Sequence, residues 1–455
     1  MRDLSQIIKA YDVRGVVPDQ LDADLARGVG AAFVSVLGAA GGRIAIGHDM
    51  RPSSPMIVDA FAEGAASQGA DVIRIGLVST DALYYASGSM DVPGAMVTAS
   101  HNPAQYNGIK LCRAGASPVG QDSGLAEIRR LIETDTIPAY DGQPGRISDT
   151  DVLSDYAAYL NKLVPVGDIR HLTVVVDAGN AMAGLTVPIV LDGLPLTVVP
   201  LYFTLDGSFP NHEANPIEPD NLRDLQNAVL ENGADLGLAF DGDADRCFVV
   251  DECGEIVNPS ALTALIAVRE LKRAPGSPII HNLITSRAVP EVVTEHGGVP
   301  VRTRVGHSFI KAVMAETGAV FGGEHSGHFY FRDFWRADSG MLAALHTLSA
   351  LGHAPEGTSL SSLLAEYDRY VQSGEINSTV ADAAGISAKV AETYADSAEI
   401  DHLDGLTVST TDWWFNLRAS NTEPLLRLNV EAKDAATMAR VRDDVLRLIK
   451  AGASR

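Results

Sequence analysis

Cysteine is scarce in this chain: Cys112, Cys247 and Cys253 are the only three among 455 residues. They form no C-x2-C pair and no plausible disulfide framework, which argues against a disulfide-stapled scaffold and suits a reducing compartment. Long apolar runs are missing as well. None approaches the roughly 18 consecutive apolar residues that would span a bilayer, and the opening MRDLSQIIKA lacks the apolar core of a signal peptide. The expectation is a cytoplasmic protein with no membrane association. Positive charge is also in deficit. With 58 acidic and 35 basic residues the net charge is -23, which argues against nucleic acid and anionic membrane as partners. An anionic small substrate stays possible, because a local cluster of arginine and lysine can overrule the global balance inside a cleft.

What is present is ample apolar material, 46% of the chain, enough for several cores and thus two to four domains. The first 145 or so residues alternate periods. Leu25, Val29, Ala32, Phe33 and Val36 mark one face of a helix over 22–38, followed by a strand over 43–47. A helix over 54–68, ended by Gly69, and a strand over 70–76 come next. Strand, helix, strand at this spacing signals a mostly parallel sheet covered by helices. The pattern restarts at 171–180 and again at 277–283, with strands over 234–240 and 318–322 and an apolar helix over 260–271. The last 85 or so residues differ: close-set strands over 406–410, 413–418 and 425–431, then a helix over 434–450, read as a small α+β unit. The fold expected is therefore three similar mixed-sheet α/β domains, 1–147, 148–255 and 256–366, followed by a smaller α+β domain, 367–455.

Four loops carry chemistry. TASHNPAQYNGIK, residues 98–110, follows a strand candidate and puts Ser100 on a turn that Pro103 keeps from continuing a ladder. A turn built of good turn formers is the plain alternative, since a serine is a weak nucleophile until something activates it. DGDADR, residues 241–246, spaces Asp241, Asp243 and Asp245 two apart directly after a strand. Carboxylates this close repel, and a hard cation such as magnesium, which prefers oxygen ligands, would relieve them. An EF-hand is the rival, but Arg246 stands where its glycine belongs and the following C-F-V-V reads as a strand. The loop is expected to be polar and solvent-facing. GGEHSGH, residues 322–328, offers Glu324, Ser326 and His328 for gripping sugar hydroxyls; zinc is the weaker reading, with no cysteine or H-E-x-x-H helix nearby. RASNTEP, residues 418–424, packs Arg418, Ser420, Asn421 and Thr422 into a donor set suited to phosphate, with a capping turn as the alternative.

Together, TASHNP, DGDADR, GEHSGH and RASNTEP resemble the phosphohexomutase family, and within it the bacterial phosphomannomutases and phosphomannomutase/phosphoglucomutases, over essentially the whole chain. The resemblance implies a heart-shaped, four-domain enzyme with one loop from each domain lining a central cleft. It implies that Ser100 is phosphorylated and that Asp241, Asp243, Asp245 and the Ser100 phosphate bind Mg2+. Glu324, Ser326 and His328 would then contact the sugar, and Arg418, Ser420, Asn421 and Thr422 would hold the phosphate that is not reacting. The family pattern also matches Tyr11 and Arg14 in YDVRG, Lys110, Arg246, and His307 in VGH. Lys110 and His307 are the foremost general acid/base candidates, with His101 beside the serine as another. The implied cycle passes through a hexose 1,6-bisphosphate, in a monomer or a homodimer.

Phosphoglucosamine mutases usually read G-E-Q-S-G and R-x-S-G-T-E-P where this chain has His325 and Asn421. These differences favour mannose and glucose phosphates over the amino sugar. A phosphoglucosamine mutase, a non-catalytic sugar-phosphate sensor and a phosphatase using the same serine are the alternatives.

Overall fold

The computed structural model describes residues 3–9, 11–419 and 425–453, without the side chains of residues 307, 308 and 453. Ser420, Asn421, Thr422 and the His307 side chain, all expected in the site, lie outside the described residues. The chain divides into two compact units, Met1–Pro259 with Ser326–Leu363, and Ser260–His325 with Leu364–Arg455.

In the first unit, the apolar run Arg43–His48 is a parallel strand between Asp71–Leu77 and Gly94–Val97. Tyr106–Arg113 and Val13–Val16 extend this sheet antiparallel. The helix Ala23–Leu37 starts on Asp22, whose side chain accepts from the Leu25 amide, and stops at Gly38 in the left-handed region that glycine adopts without strain. Its expected face is buried at Leu25, Val29, Ala32 and Phe33, and Val36 packs at the margin. The helix Ser54–Ser67 lies against it so closely that a Cβ on Gly64 would stand 2.0 Å from the Arg27 carbonyl oxygen.

A second sheet places Leu172–Asp177 between Leu196–Leu201 and Leu236–Phe240, all parallel, with Cys247–Asp251 antiparallel on the far side of Leu236–Phe240. Both strands flanking the DGDADR loop are wholly buried, so the loop is pinned at each end. A strand after the loop, as the C-F-V-V run suggested, removes the EF-hand. The hairpin Phe329–Phe331 with Ala337–Asp338 and the buried helix Gly340–Gly352 complete this unit. That helix begins hard against the loop: a Cβ on Gly340 would meet the Arg246 carbonyl oxygen at 2.6 Å.

In the second unit, Pro278–Asn282 pairs in parallel with Val299–Thr303 and Phe321–Gly323. The strand expected over 318–322 starts later, because Gly318 (φ 70°) ends the helix His307–Thr317 and turns the chain first. A C-terminal antiparallel sheet runs in the order Val371–Thr379, Leu425–Ala432, Trp413–Ala419, Leu406–Ser409, Glu399–Asp401. The helices Ala383–Tyr394 and Ala435–Ala453 share its core through Ile386, Val390, Val441, Val445 and Ile449. No helix among the described residues is long and apolar enough to cross a membrane.

Candidate functional site

Ser100 stands three residues beyond the strand Gly94–Val97 in the left-handed region (φ 51°), which non-glycine residues seldom adopt and which marks a conformation held by its surroundings. Its amide donates to Thr98 Oγ1 at 2.9 Å, and its hydroxyl donates to Asp241 Oδ2 at 2.8 Å. The two loops touch backbone to backbone: a Cβ on Gly242 would lie 2.1 Å from the Ser100 carbonyl oxygen. That is the physical reason for a glycine between the first two aspartates.

The aspartates are not solvent-facing as their polar sequence suggested. Asp241, Asp243 and Asp245 are buried to within 1% exposure. The loop sits between two buried strands and under the Gly340 helix start, so its charge is met by protein rather than water. Lys110 Nζ bonds Asp243 Oδ2 at 2.6 Å and Asp245 Oδ2 at 2.7 Å. Arg246 Nε donates to Asp241 Oδ2 at 2.8 Å and its amide donates to Asp241 Oδ1 at 3.1 Å. Thr80 Oγ1 also donates to Asp243 Oδ2.

Electrostatics follow from this layout. Burial pushes the Asp241 carboxyl up, and Arg246 only partly counters it. Asp243 is as buried, yet the Lys110 ammonium holds it below the usual carboxylate range. Burial by itself would lower the Lys110 ammonium, but Asp243 and Asp245 more than reverse that and raise it. Burial, with Arg246 and Arg14 adding to it, depresses the His101 imidazole, so the ring is neutral and its Nδ1 accepts from Arg246. Arg246 reaches Ser100 Oγ at 3.3 Å. Arg14 bonds Asn102 Oδ1 and the Ala99 carbonyl oxygen in the nucleophile loop and pairs with Asp12. Tyr11 stands half-buried three residues before it.

Could this loop hold a metal? The three aspartates bring ligand oxygens within 4.8 Å of one another. The Oδ1 atoms of Asp243 and Asp245 are buried without a hydrogen-bond partner among the described residues. Buried carboxylate oxygens are costly to leave unpaired, and Lys110 takes the Oδ2 atoms, so a hard divalent cation suits the vacant lone pairs. A second cluster, Asp245, His328 and Asp338, adjoins the first. His328 is joined to Arg246 by an isolated antiparallel bridge, and its Nδ1 lies 3.0 Å from Asp338 Oδ2 and 3.8 Å from Asp245 Oδ1. Burial would lower this imidazole, but the two carboxylates outweigh it and the net shift is upward.

The first unit thus brings together Ser100, His101, Arg14, Lys110, Asp241, Asp243, Asp245, Arg246 and His328; Ser326 lies two residues before His328 in the same unit. Glu324 and Arg418 belong to the second unit. There Glu324 is buried, accepting from Asn282 Nδ2 at 3.2 Å and from the Gly306 amide, the residue before His307, at 3.4 Å. Arg418 is half-buried next to the end of Trp413–Ala419, opposite Arg427 in register. His325 lines a cavity of about 10 Å³ with Gln372, Trp414 and Asn429, within that unit. Sequence reasoning missed Thr80, Thr98, Asn102, Asp338 and the pair Asp49–Arg51. Only the last left a signal, in charged residues directly after a parallel strand, the usual functional edge of such a sheet.

Four family models match the chain in order: phosphoglucomutase/phosphomannomutase alpha/beta/alpha domain I over residues 5–138, domain II over 154–254, domain III over 258–370, and the C-terminal domain over 375–448. The four-domain α/β organisation is therefore the one expected from sequence. A Xanthomonas campestris pv. campestris protein named for phosphohexose mutases is 41% identical, over 95% of this chain and 96% of that one. An Escherichia coli phosphomannomutase is 39% identical, over 97% and 98%. A crystal structure of a phosphoglucomutase/phosphomannomutase family protein from Burkholderia thailandensis superposes with a TM-score of 0.89 at 35% identity, covering 99% of this chain and 98% of that one.

Proposed function

The chain belongs to the phosphoglucomutase/phosphomannomutase (phosphohexomutase) family, and on that premise we propose that it interconverts mannose 6-phosphate and mannose 1-phosphate, and the corresponding glucose phosphates. The observation that carries this reading is the Ser100 hydroxyl, 2.8 Å from Asp241 inside a buried nest of three aspartates and two cations. A phosphate on that oxygen adds about two negative charges to a nest whose two cations already face three aspartates, a deficit that a divalent cation held by those aspartates would meet. Mannose leads because curated relatives bear that name and because His325 and Asn421 depart from the glucosamine pattern. Mannose and glucose differ only at C2, so gripping C3 and C4 leaves both acceptable.

In the proposed cycle the bond from phosphorus to Ser100 Oγ breaks as a sugar hydroxyl oxygen bonds to phosphorus. The hydroxyl proton passes to a base, with His307 and His101 as candidates, while Lys110, held as an ammonium by Asp243 and Asp245, is the candidate acid. The product is a hexose 1,6-bisphosphate; after it turns over, the other phosphate returns to Ser100 and the proton goes back. Arg246 and Arg14 stabilise charge on the transferring group and hold the loop that carries it. Asp241, Asp243 and Asp245, with the Ser100 phosphate, would hold Mg2+, which when bound neutralises charge on the phosphoryl group. Glu324, Ser326 and His328 select sugar hydroxyls, Tyr11 flanks the substrate, and Arg418, Ser420, Asn421 and Thr422 grip the distal phosphate. We divide the labour at 1–147, 148–255, 256–366 and 367–455, one loop to each.

Turnover of mannose 1-phosphate, glucose 1-phosphate and glucosamine 1-phosphate, each with a trace of glucose 1,6-bisphosphate and Mg2+, tests the reading by phosphorus NMR. Mannose and glucose phosphates should isomerise with no free phosphate released, and intact mass should place one phosphoryl group on Ser100. Ser100→Ala should lose nearly all turnover. Preference for glucosamine phosphate would overturn the sugar, free phosphate would indicate a phosphatase, and full activity in Ser100→Ala would end the covalent mechanism.

A further inference from the structure

Arg51 bonds no side chain placed in the chemistry, yet its own side chain is wholly buried beneath the nucleophile loop. A guanidinium has five N–H donors in a fixed fork, and all five are used. Nε donates to Asp49 Oδ2 at 3.1 Å. One terminal nitrogen donates to the carbonyl oxygens of Pro103 at 2.8 Å and Tyr106 at 2.9 Å. The other donates to those of Ser100 at 3.0 Å and Asn102 at 2.6 Å. Four carbonyls of the turn 100–106 therefore converge on one side chain. The Phe209 ring, from a different part of the first unit, covers the guanidinium at 5.1 Å from its centroid.

The arrangement is anchored from behind. Asp49 Oδ1 accepts from the Arg51 amide at 3.0 Å and from Ser54 Oγ at 2.6 Å. The Asp49 amide donates to the Val97 carbonyl oxygen at 3.0 Å, tying the pair to the strand that leads into Ser100. The charge of Arg51 is balanced by Asp49, so the pair is self-sufficient without substrate or metal. Segment 207–209 closes over it so tightly that a Cβ on Gly207 would lie 2.7 Å from Arg51 Cα.

This explains how Ser100 keeps a left-handed backbone. Carbonyl groups turned away from water need donors, and Pro103 has no amide hydrogen with which the turn could build a ladder of its own. The fork provides those donors at spacings set by its planar geometry, so the turn is wrapped around a rigid template. A lysine has three donors at one point and cannot reproduce four carbonyl contacts plus the Asp49 bond.

We propose that Arg51, held by Asp49 and covered by Phe209, is a positioning residue that sets the orientation of Ser100 for phosphoryl transfer. The inference rests on Ser100 being the group phosphorylated. Misplacing a nucleophile by about 1 Å can lower a rate roughly 100-fold while leaving substrate binding intact.

Arg51→Lys and Phe209→Leu, compared with the wild-type full chain, test it by three readouts. These are steady-state kinetics with mannose 1-phosphate, phosphorylation of Ser100 by glucose 1,6-bisphosphate followed by mass, and amide hydrogen exchange over residues 98–107. Arg51→Lys should lower kcat by about 100-fold or more with KM held within about threefold. Exchange should quicken at 98–107 while the rest of the first unit keeps its protection. Phe209→Leu leaves the five hydrogen bonds and should lower kcat by only about 3- to 10-fold, in keeping with loss of a ring–cation contact. A folded Arg51→Lys with near wild-type kcat, with a change in KM alone, or with exchange raised evenly across the unit would overturn the proposal. Should Arg51→Lys not fold, Phe209→Leu decides, and unchanged kcat with unchanged exchange there would overturn it. A wild-type protein that takes no phosphate on Ser100 would instead remove the functional reading, while the exchange result still reports whether Arg51 holds the turn.

Discussion

Asp243 illustrates how a charged side chain can be both buried and tolerated. Its Oδ2 accepts from Lys110 and Thr80, while its Oδ1 has no hydrogen-bond partner among the described residues. With Lys110 and Arg246 facing three aspartates, the fully ionised cluster has one negative charge in excess. Replacing Asp243 by Asn removes that excess without changing shape. The variant loses a charge-assisted bond to Lys110 but also loses carboxylate repulsion, so its metal-free stability should stay within about 2 kcal/mol of wild type. Cation affinity should fall by at least about tenfold, as loss of metal-site partners commonly does. Titration calorimetry with Mg2+, beside thermal melts in a chelator, checks both halves; unchanged affinity would remove Asp243 from the metal site. The residue types of this loop were legible because three carboxylates at that spacing demand a cation. Its burial was not, since a polar hexapeptide reads as exposed unless one knows what packs over it. The place of Asp49 and Arg51 after a strand was legible, but the task of Arg51 was not: four of its five partners are backbone carbonyls, which no side-chain pattern announces.

The helices Ala23–Leu37 and Ser54–Ser67 show a similar divide. Their apolar period of 3.6 locates them, and Asp22 and Gly38 mark the ends of the first. Nothing in the period says that they nearly touch. Gly30 and Gly64 read only as weak helix formers, yet a Cβ on Gly30 would be 2.1 Å from the Phe61 carbonyl oxygen, and one on Gly64 2.0 Å from that of Arg27. Gly64→Ala gains about 1 kcal/mol of helix propensity but forces rigid backbones apart. Overpacking of this kind costs about 1–3 kcal/mol or more, so the net effect should be a destabilised first unit. Thermal denaturation would show it, and a Gly64→Ala protein as stable as wild type would mean that the helices can separate freely. The edge strand Val371–Thr379 escaped the apolar pattern because none of its residues is fully buried. The strand Phe321–Gly323 started late because Gly318 first had to close a helix.

Division into two compact units gives the whole molecule two separable responses. The three aspartates, Lys110 and Ser100 all belong to the first unit, so a cation that binds there stabilises that unit by mass action. At about 100 times its dissociation constant the gain is about 2.7 kcal/mol. His281 belongs to the second unit, buried on the strand Pro278–Asn282, with its Nδ1 3.2 Å from the Asn282 carbonyl oxygen. Burial holds its imidazole down, from 6.5 to about 4. The unfolded chain therefore binds more protons than the folded one between those values. Stability of the second unit is complete above about pH 6.5 and falls as pH drops towards 4, by up to about 3 kcal/mol from this group. Scanning calorimetry should then show two transitions: Mg2+ raises the one that a chelator lowers, and a fall in pH from 6.5 towards 4 lowers the other. His281→Asn should flatten the acid slope of that second transition between pH 6.5 and 4 and leave the Mg2+ response of the first unchanged. A single transition that Mg2+ and His281→Asn both move would show that the units unfold as one. Two transitions with the acid slope untouched by His281→Asn would place its proton linkage on other groups.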